Sequence, residues 1–121
     1  MKFCWCTLQV KDLEESLKFY QEIVGLPLKR RFKGGDIVEI AFLGGEPTQV
    51  ELIYNAKQPP EGSGAGIVLG FEVESLEDAM DFVRKKGLTI ESGPFQPNPH
   101  TKFFYVLDPN GVKIQFVQNM Q

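Results

Sequence analysis

Val10-Lys11-Asp12-Leu13-Glu14-Glu15-Ser16-Leu17-Lys18-Phe19-Tyr20 and Val73-Glu74-Ser75-Leu76-Glu77-Asp78-Ala79-Met80-Asp81-Phe82-Val83 are two copies of one pattern. Each residue of the second lies 63 positions after its counterpart. Val, Leu, Glu and Phe recur identically, and Asp12/Ser75, Glu15/Asp78 and Leu17/Met80 are close substitutions. Both copies carry the chemistry of a helix start. Asp12 and Ser75 suit the N-cap, where a side-chain oxygen accepts from a free backbone N–H. Glu15 and Asp78 follow three residues later, in capping-box position. Leu13, Leu17 and Tyr20, and likewise Leu76, Met80 and Val83, then recur at helical spacing. Gly25 and Gly87 stand where helices commonly end. The pattern predicts helices over 13–24 and 76–86.

Strand-like sequence surrounds both helices. Residues 3–10 alternate, with Cys4, Cys6, Leu8 and Val10 on one face and Phe3, Trp5, Thr7 and Gln9 on the other. Runs at 28–33, 37–43 and 49–54 follow, separated by Gly34-Gly35 and Gly44-Gly45. The second half repeats the order: strand 66–73, helix, strand 88–92, a proline-rich loop, strand 102–107, an Asp108-Pro109-Asn110-Gly111 turn and strand 112–118. The expected architecture is α+β: two tandem βαβββ modules, about 1–55 and 66–118, joined by a linker at 56–65 within a single domain, 1–121. One helix covers only one face of a four-stranded sheet. Two such units make a curved mixed sheet with helices on the outer face, and the inner face is left as a cleft suited to a small molecule.

Composition narrows the function. The chain has 121 residues, 42% hydrophobic and 24% charged, which is ordinary for a globular domain. The net charge of −3 offers nothing to a phosphate backbone. The one basic cluster, Lys29, Arg30, Arg31 and Lys33, is interrupted by Phe32 and reads as a solvated strand face rather than a nucleic-acid site. No apolar run is long enough to span a membrane, and the first residues lack the pattern of a signal peptide, so a soluble cytoplasmic protein is expected. Cys4 and Cys6, at i and i+2 on a strand, lie near the limit of disulfide reach and are expected as reduced core thiols.

The doubled βαβββ pattern resembles the vicinal oxygen chelate superfamily, which comprises glyoxalases, bleomycin-resistance proteins and extradiol dioxygenases. The resemblance rests on residues 12–20, on Val50-Glu51-Leu52-Ile53 and on Asp108-Pro109-Asn110-Gly111-Val112-Lys113-Ile114-Gln115-Phe116. It covers nearly the whole chain. It implies the fold strongly and any one activity weakly, because this fold hosts many chemistries.

Metal-using members of the family place one His or Glu ligand on each of four strands, and the cation polarises two neighbouring substrate oxygens. Carried over position by position, the resemblance puts the first ligand at Trp5, the second at Glu51, the third at Val68 and the fourth at Gln115. Trp and Val cannot ligate through their side chains, and Gln115 offers a neutral carbonyl oxygen. One carboxylate and one amide do not make a zinc, nickel or iron site, so no metal or other cofactor is expected. A site recruited from Glu39 or Asp36 has no motif behind it.

The remaining candidates are a ligand-binding set and two groups capable of chemistry. Trp5, with Phe3, Thr7 and Gln9 on its face, reads either as core filling or as a stacking wall for a planar ligand. Gln9 stands where some glyoxalases have a basic residue for the substrate carboxylate, so its amide argues against a glutathione-type anion. Glu51 reads as a general base in a desolvated cleft or as a carboxylate hydrogen-bonded to Gln115 or a ligand. His100 is the sole histidine and sits in Pro94-Phe95-Gln96-Pro97-Asn98-Pro99-His100. That segment is expected to be a loop over the cleft mouth, and His100 is either solvated or a proton-transfer group. Phe95, Phe103 and Tyr105 add aromatic surface nearby. The expected function is small-molecule binding in the cleft, lined by Phe3, Trp5, Thr7, Gln9, Val68 and Gln115. The alternative is a glyoxalase-like lyase or isomerase using Glu51 and His100. A homodimer is expected from the resemblance and from open sheet edges.

Overall fold

The computed structural model describes residues 1–45, 47–58, 60 and 66–120. Residues 59 and 61–65 of the expected linker lie outside the described residues. The chain divides into two compact units, Met1–Gly62 and Ser63–Gln121. Each unit is a four-stranded mixed sheet with one helix packed on one face, so the architecture is α+β.

The first unit runs β1 (Trp5–Gln9), α1 (Leu13–Lys18), β2 (Leu28–Lys33), β3 (Val38–Gly44) and β4 (Gln49–Asn55). Its strand order is β1-β4-β3-β2. The β1–β4 pair is parallel and the other two pairs are antiparallel. The second unit runs β5 (Val68–Glu72), α2 (Leu76–Lys85), β6 (Ser92–Asn98), β7 (Thr101–Leu107) and β8 (Lys113–Asn119). Its order, β5-β8-β7-β6, and its pairing senses repeat those of the first.

The caps act as their sequence implies. The Asp12 carboxylate accepts from the Glu15 N–H at 3.1 Å, and the Ser75 hydroxyl accepts from the Asp78 N–H at 3.2 Å. Beyond the caps the copies differ. The first helix is not α-helical to Val24: after Lys18 it widens into a π turn at Phe19–Ile23. Thirteen positions separate Asp12 from Gly25, but twelve separate Ser75 from Gly87. A π turn admits one extra residue without disturbing the flanking turns. The closing bonds stay equivalent: Leu26 N–H donates to the Tyr20 carbonyl, and Leu88 N–H to the Val83 carbonyl. Tyr20 and Val83 are counterparts in the repeat, and both are fully buried.

The helix stripes bury against the matching sheet faces. Leu13, Leu17 and Tyr20 join Leu8, Val10, Ala41, Leu43, Val50 and Leu52, and Leu76, Met80 and Val83 join Phe104, Val106, Ile114 and Phe116. The turn before β8 is organised by Asp108. Its buried carboxylate accepts from the Asn110 and Val112 N–H groups, each at 2.8 Å, and Gly111 supplies the positive φ of 83° that lets the chain reverse.

Several expectations need correction. Strand β1 begins at Trp5, so Phe3 and Cys4 precede it. Cys4 is exposed and Cys6 only partly covered; the thiols are free but not core residues, because Leu8 and Val10 alone reach under the helix. Residues 88–91 form no strand, and the proline-rich segment expected as a loop is itself β6. Pro94 and Pro97 lack the donors an interior strand needs, but β6 lies at the sheet edge, and its register shifts on either side of Phe95. His100 therefore lies not in a long loop but in the two-residue Pro99-His100 turn between β6 and β7.

Candidate functional site

Each sheet has one face under its helix and one without. Register assigns the residues of the bare face of the first sheet. Trp5, Thr7 and Gln9 stand opposite Gln49, Glu51 and Ile53, Glu51 stands opposite Phe42, and Phe42 opposite Arg30. One row across the four strands thus reads Arg30, Phe42, Glu51, Thr7. The Thr7 hydroxyl donates to Glu51 Oε1 at 2.5 Å. Phe42 is the floor of this face, 3% exposed although no helix covers it. Neighbouring side chains cover it. The Trp5 indole meets it edge-on at 5.3 Å, Phe32 lies nearly parallel at 6.3 Å, and the Arg30 guanidinium sits 4.2 Å over its centroid. Trp5 and Phe32 remain 44% and 42% exposed.

The bare face of the second sheet carries the counterpart positions. Gln115 stands between Gly70 and Tyr105, and its amide N–H donates to the Tyr105 hydroxyl at 3.4 Å. A Cβ at Gly70 would come within 3.2 Å of Gln115 Oε1, so glycine gives that amide its room. Phe95, Phe103 and Tyr105 form an aromatic cluster with centroids 5.5–6.3 Å apart. Phe104 points the other way, into the core. Lys113 lies 4.6 Å over the Tyr105 ring and 3.7 Å from the Glu91 carboxylate. Val68, opposite Lys113, is exposed.

Among the residues singled out from sequence, Trp5, Thr7, Gln9 and Glu51 share one face and Val68 and Gln115 share another. Phe3 lies ahead of β1, 68% exposed, with its carbonyl accepting from the Thr48 hydroxyl. His100 is exposed at the hairpin tip, and the Asn98 side chain holds its backbone N–H at 2.8 Å. The turn lies beyond the Thr101–Asn119 pair, four residues along β8 from Gln115 and about 13 Å away at strand rise. His100 is not brought beside Gln115. Sequence reasoning missed Arg30, Phe32 and Phe42. The available signal was the alternation of β2, which sends Arg30 and Phe32 to one face and Arg31 to the other. There Arg31 pairs with Glu39 at 2.7 Å and with Glu14, and these hydrogen bonds raise its pKa.

The model of the glyoxalase/bleomycin resistance protein/dioxygenase superfamily matches residues 2–116. The chain belongs to this superfamily. A lactoylglutathione lyase of Haemophilus influenzae is 33% identical over 129 aligned positions, covering 98% of this chain and 93% of that protein. YwbC, an uncharacterised protein of Bacillus subtilis, is 32% identical over 92% of both chains. Among solved structures, the trypanothione-dependent glyoxalase I of Leishmania major superposes with a TM-score of 0.83 at 25% identity, covering 98% of this chain and 86% of that one. A glyoxalase I mutant from Zea mays gives 0.87 at 25% identity, with this chain spanning 46% of its length. In this superfamily member, no three His, Cys, Asp or Glu side chains cluster as metal ligands among the described residues. Glu51 is the one carboxylate on the bare face of the first sheet. That of the second has Glu72, two residues along β5 from Gly70. Neither face has an imidazole or a thiolate.

Proposed function

We propose that this glyoxalase-superfamily protein binds a planar small molecule on the Trp5-bearing sheet face and does not use the metal centre of metal-dependent relatives. The observation that carries this reading is the chemistry at the ligand positions: Trp5, Val68 and Gln115, with Glu51 the one strong donor of four. Without nitrogen donors this set does not fit zinc or nickel. A half-exposed indole meeting Phe42 edge-on, with an exposed Phe32 lying nearly parallel to the same ring, offers stacking area instead. Trp5 is the chain's only tryptophan, so its emission reports directly on that face. Titration of metal-free protein with planar aromatic compounds should give saturable changes. If no such compound perturbs the emission while small apolar compounds bind elsewhere, the reading is wrong.

The lactoylglutathione lyases at 32–34% identity favour a second reading, a lyase or isomerase. There Glu51, oriented by the Thr7 hydroxyl, removes a proton beside a carbonyl. Turnover of the hemithioacetal of methylglyoxal and glutathione, abolished by Glu51→Gln, would establish that reading over the first. A homodimer and a cytoplasmic location remain part of the proposal. The edge strands of the two four-stranded sheets motivate the dimer. Light scattering at the mass of one chain would exclude it. Among the described residues no helix is long and apolar enough to cross a membrane.

A further inference from the structure

We infer that the ligand of the first sheet's bare face is an aromatic acid, with Arg30 holding its carboxylate. This rests on the proposal that the Trp5 face binds a planar molecule and adds the charge that molecule carries. The two adjacent arginines of β2 have different fates. Arg31, on the helix side, is neutralised by Glu39 and Glu14. Arg30, on the bare face, makes no ion pair among the described residues. Its guanidinium carbon lies 4.2 Å from the Phe42 ring centroid and 5.5 Å from that of Phe32, and the residue stays exposed. A guanidinium so placed can present its planar fork of N–H donors to a carboxylate.

The same row fixes the rest of the ligand. Glu51 lies two strands away from Arg30, with Phe42 between them, about 9–10 Å from Cα to Cα at ordinary strand spacing. The Arg30 cation over Phe42 and the Glu51 carboxylate thus share one row, and the exposed rings of Trp5 and Phe32 lie against the same Phe42. A molecule matching these groups has an anion for Arg30, a ring to meet the exposed aromatic side chains and a hydrogen-bond donor for Glu51. The amide of Gln9 does not exclude an anion, because here the cation comes from β2 rather than β1.

The test is calorimetric titration of the metal-free protein with 4-hydroxybenzoate and with its neutral methyl ester. The acid should bind ~10–100-fold more tightly, the range of a charge-assisted hydrogen-bond pair. Arg30→Met should reduce the acid to the level of the ester and leave the ester unchanged. Arg30→Lys should restore only part of the difference, since it keeps charge but not the planar fork. Equal binding of acid and ester by the wild-type protein overturns the inference while leaving a planar-ligand face intact. Equal weakening of both probes by Arg30→Met also overturns it, showing that Arg30 acts by packing. Binding of neither probe overturns the inference for this ligand class. In that case, saturable binding of uncharged planar compounds decides whether the broader reading survives.

Discussion

Truncating Trp5 to alanine separates a wall from a core residue, because the two roles differ in stability cost. Removing a fully buried Trp or Phe side chain costs about 3–5 kcal/mol. Trp5 is 44% exposed, and its principal ring contact is one edge-on meeting with Phe42. Scaling to the covered fraction, a little over half, gives ~2–3 kcal/mol, of which the aromatic pair supplies about 0.5–1.5. Trp5→Phe should recover part of this. The assay is urea unfolding followed by far-UV circular dichroism, since the variants have lost the fluorophore. A loss above about 4 kcal/mol would refute the reasoning, placing the indole in the core rather than on a ligand-facing wall. A loss below about 0.5 kcal/mol would also refute it, because Phe42 would then owe its burial to other neighbours.

Two local predictions follow from the caps and the closing turn. Ser75→Ala removes the oxygen that accepts from the Asp78 N–H and should cost ~1 kcal/mol in urea unfolding, with Ser75→Asp near neutral. Asp108→Ala strands the N–H groups of Asn110 and Val112 in a buried turn. It should cost ~2–3 kcal/mol, and Asp108→Asn less, because one carbonyl oxygen remains to accept.

What could be read from the sequence was what local chemistry decides. Both N-caps, the Asp108 turn and the alternation that puts Trp5, Thr7 and Gln9 together all depend on residues a few positions apart, and the repeat shows in a direct comparison of the two halves. What escaped depends on context. Pro94 and Pro97 look like loop residues until β6 is known to be an edge strand, where a missing donor breaks no ladder. The π turn was foreshadowed by one extra residue before Gly25, but only the paired closing bonds of Leu26 and Leu88 show where the chain absorbs it. Arg30 and Phe42 are adjacent only through the β2–β3 register, which has an irregularity between Leu28 and Arg30. No sequence pattern gives that pairing, so the basic run read as solvated when Arg30 lies over aromatic rings and Arg31 is held in ion pairs. Glu51 shares a sheet face with Trp5, Thr7 and Gln9, but its hydrogen bond from Thr7 was not foreseen.

The central proposal is that this superfamily member binds a planar ligand on the Trp5 face without a metal centre. Elemental analysis of protein produced with nickel and zinc supplied, then freed of loosely held ions by gel filtration, tests it most directly. Far less than one equivalent of either metal per chain, unchanged by Glu51→Ala, is expected. About one nickel or zinc per chain, lost on Glu51→Ala, would contradict it.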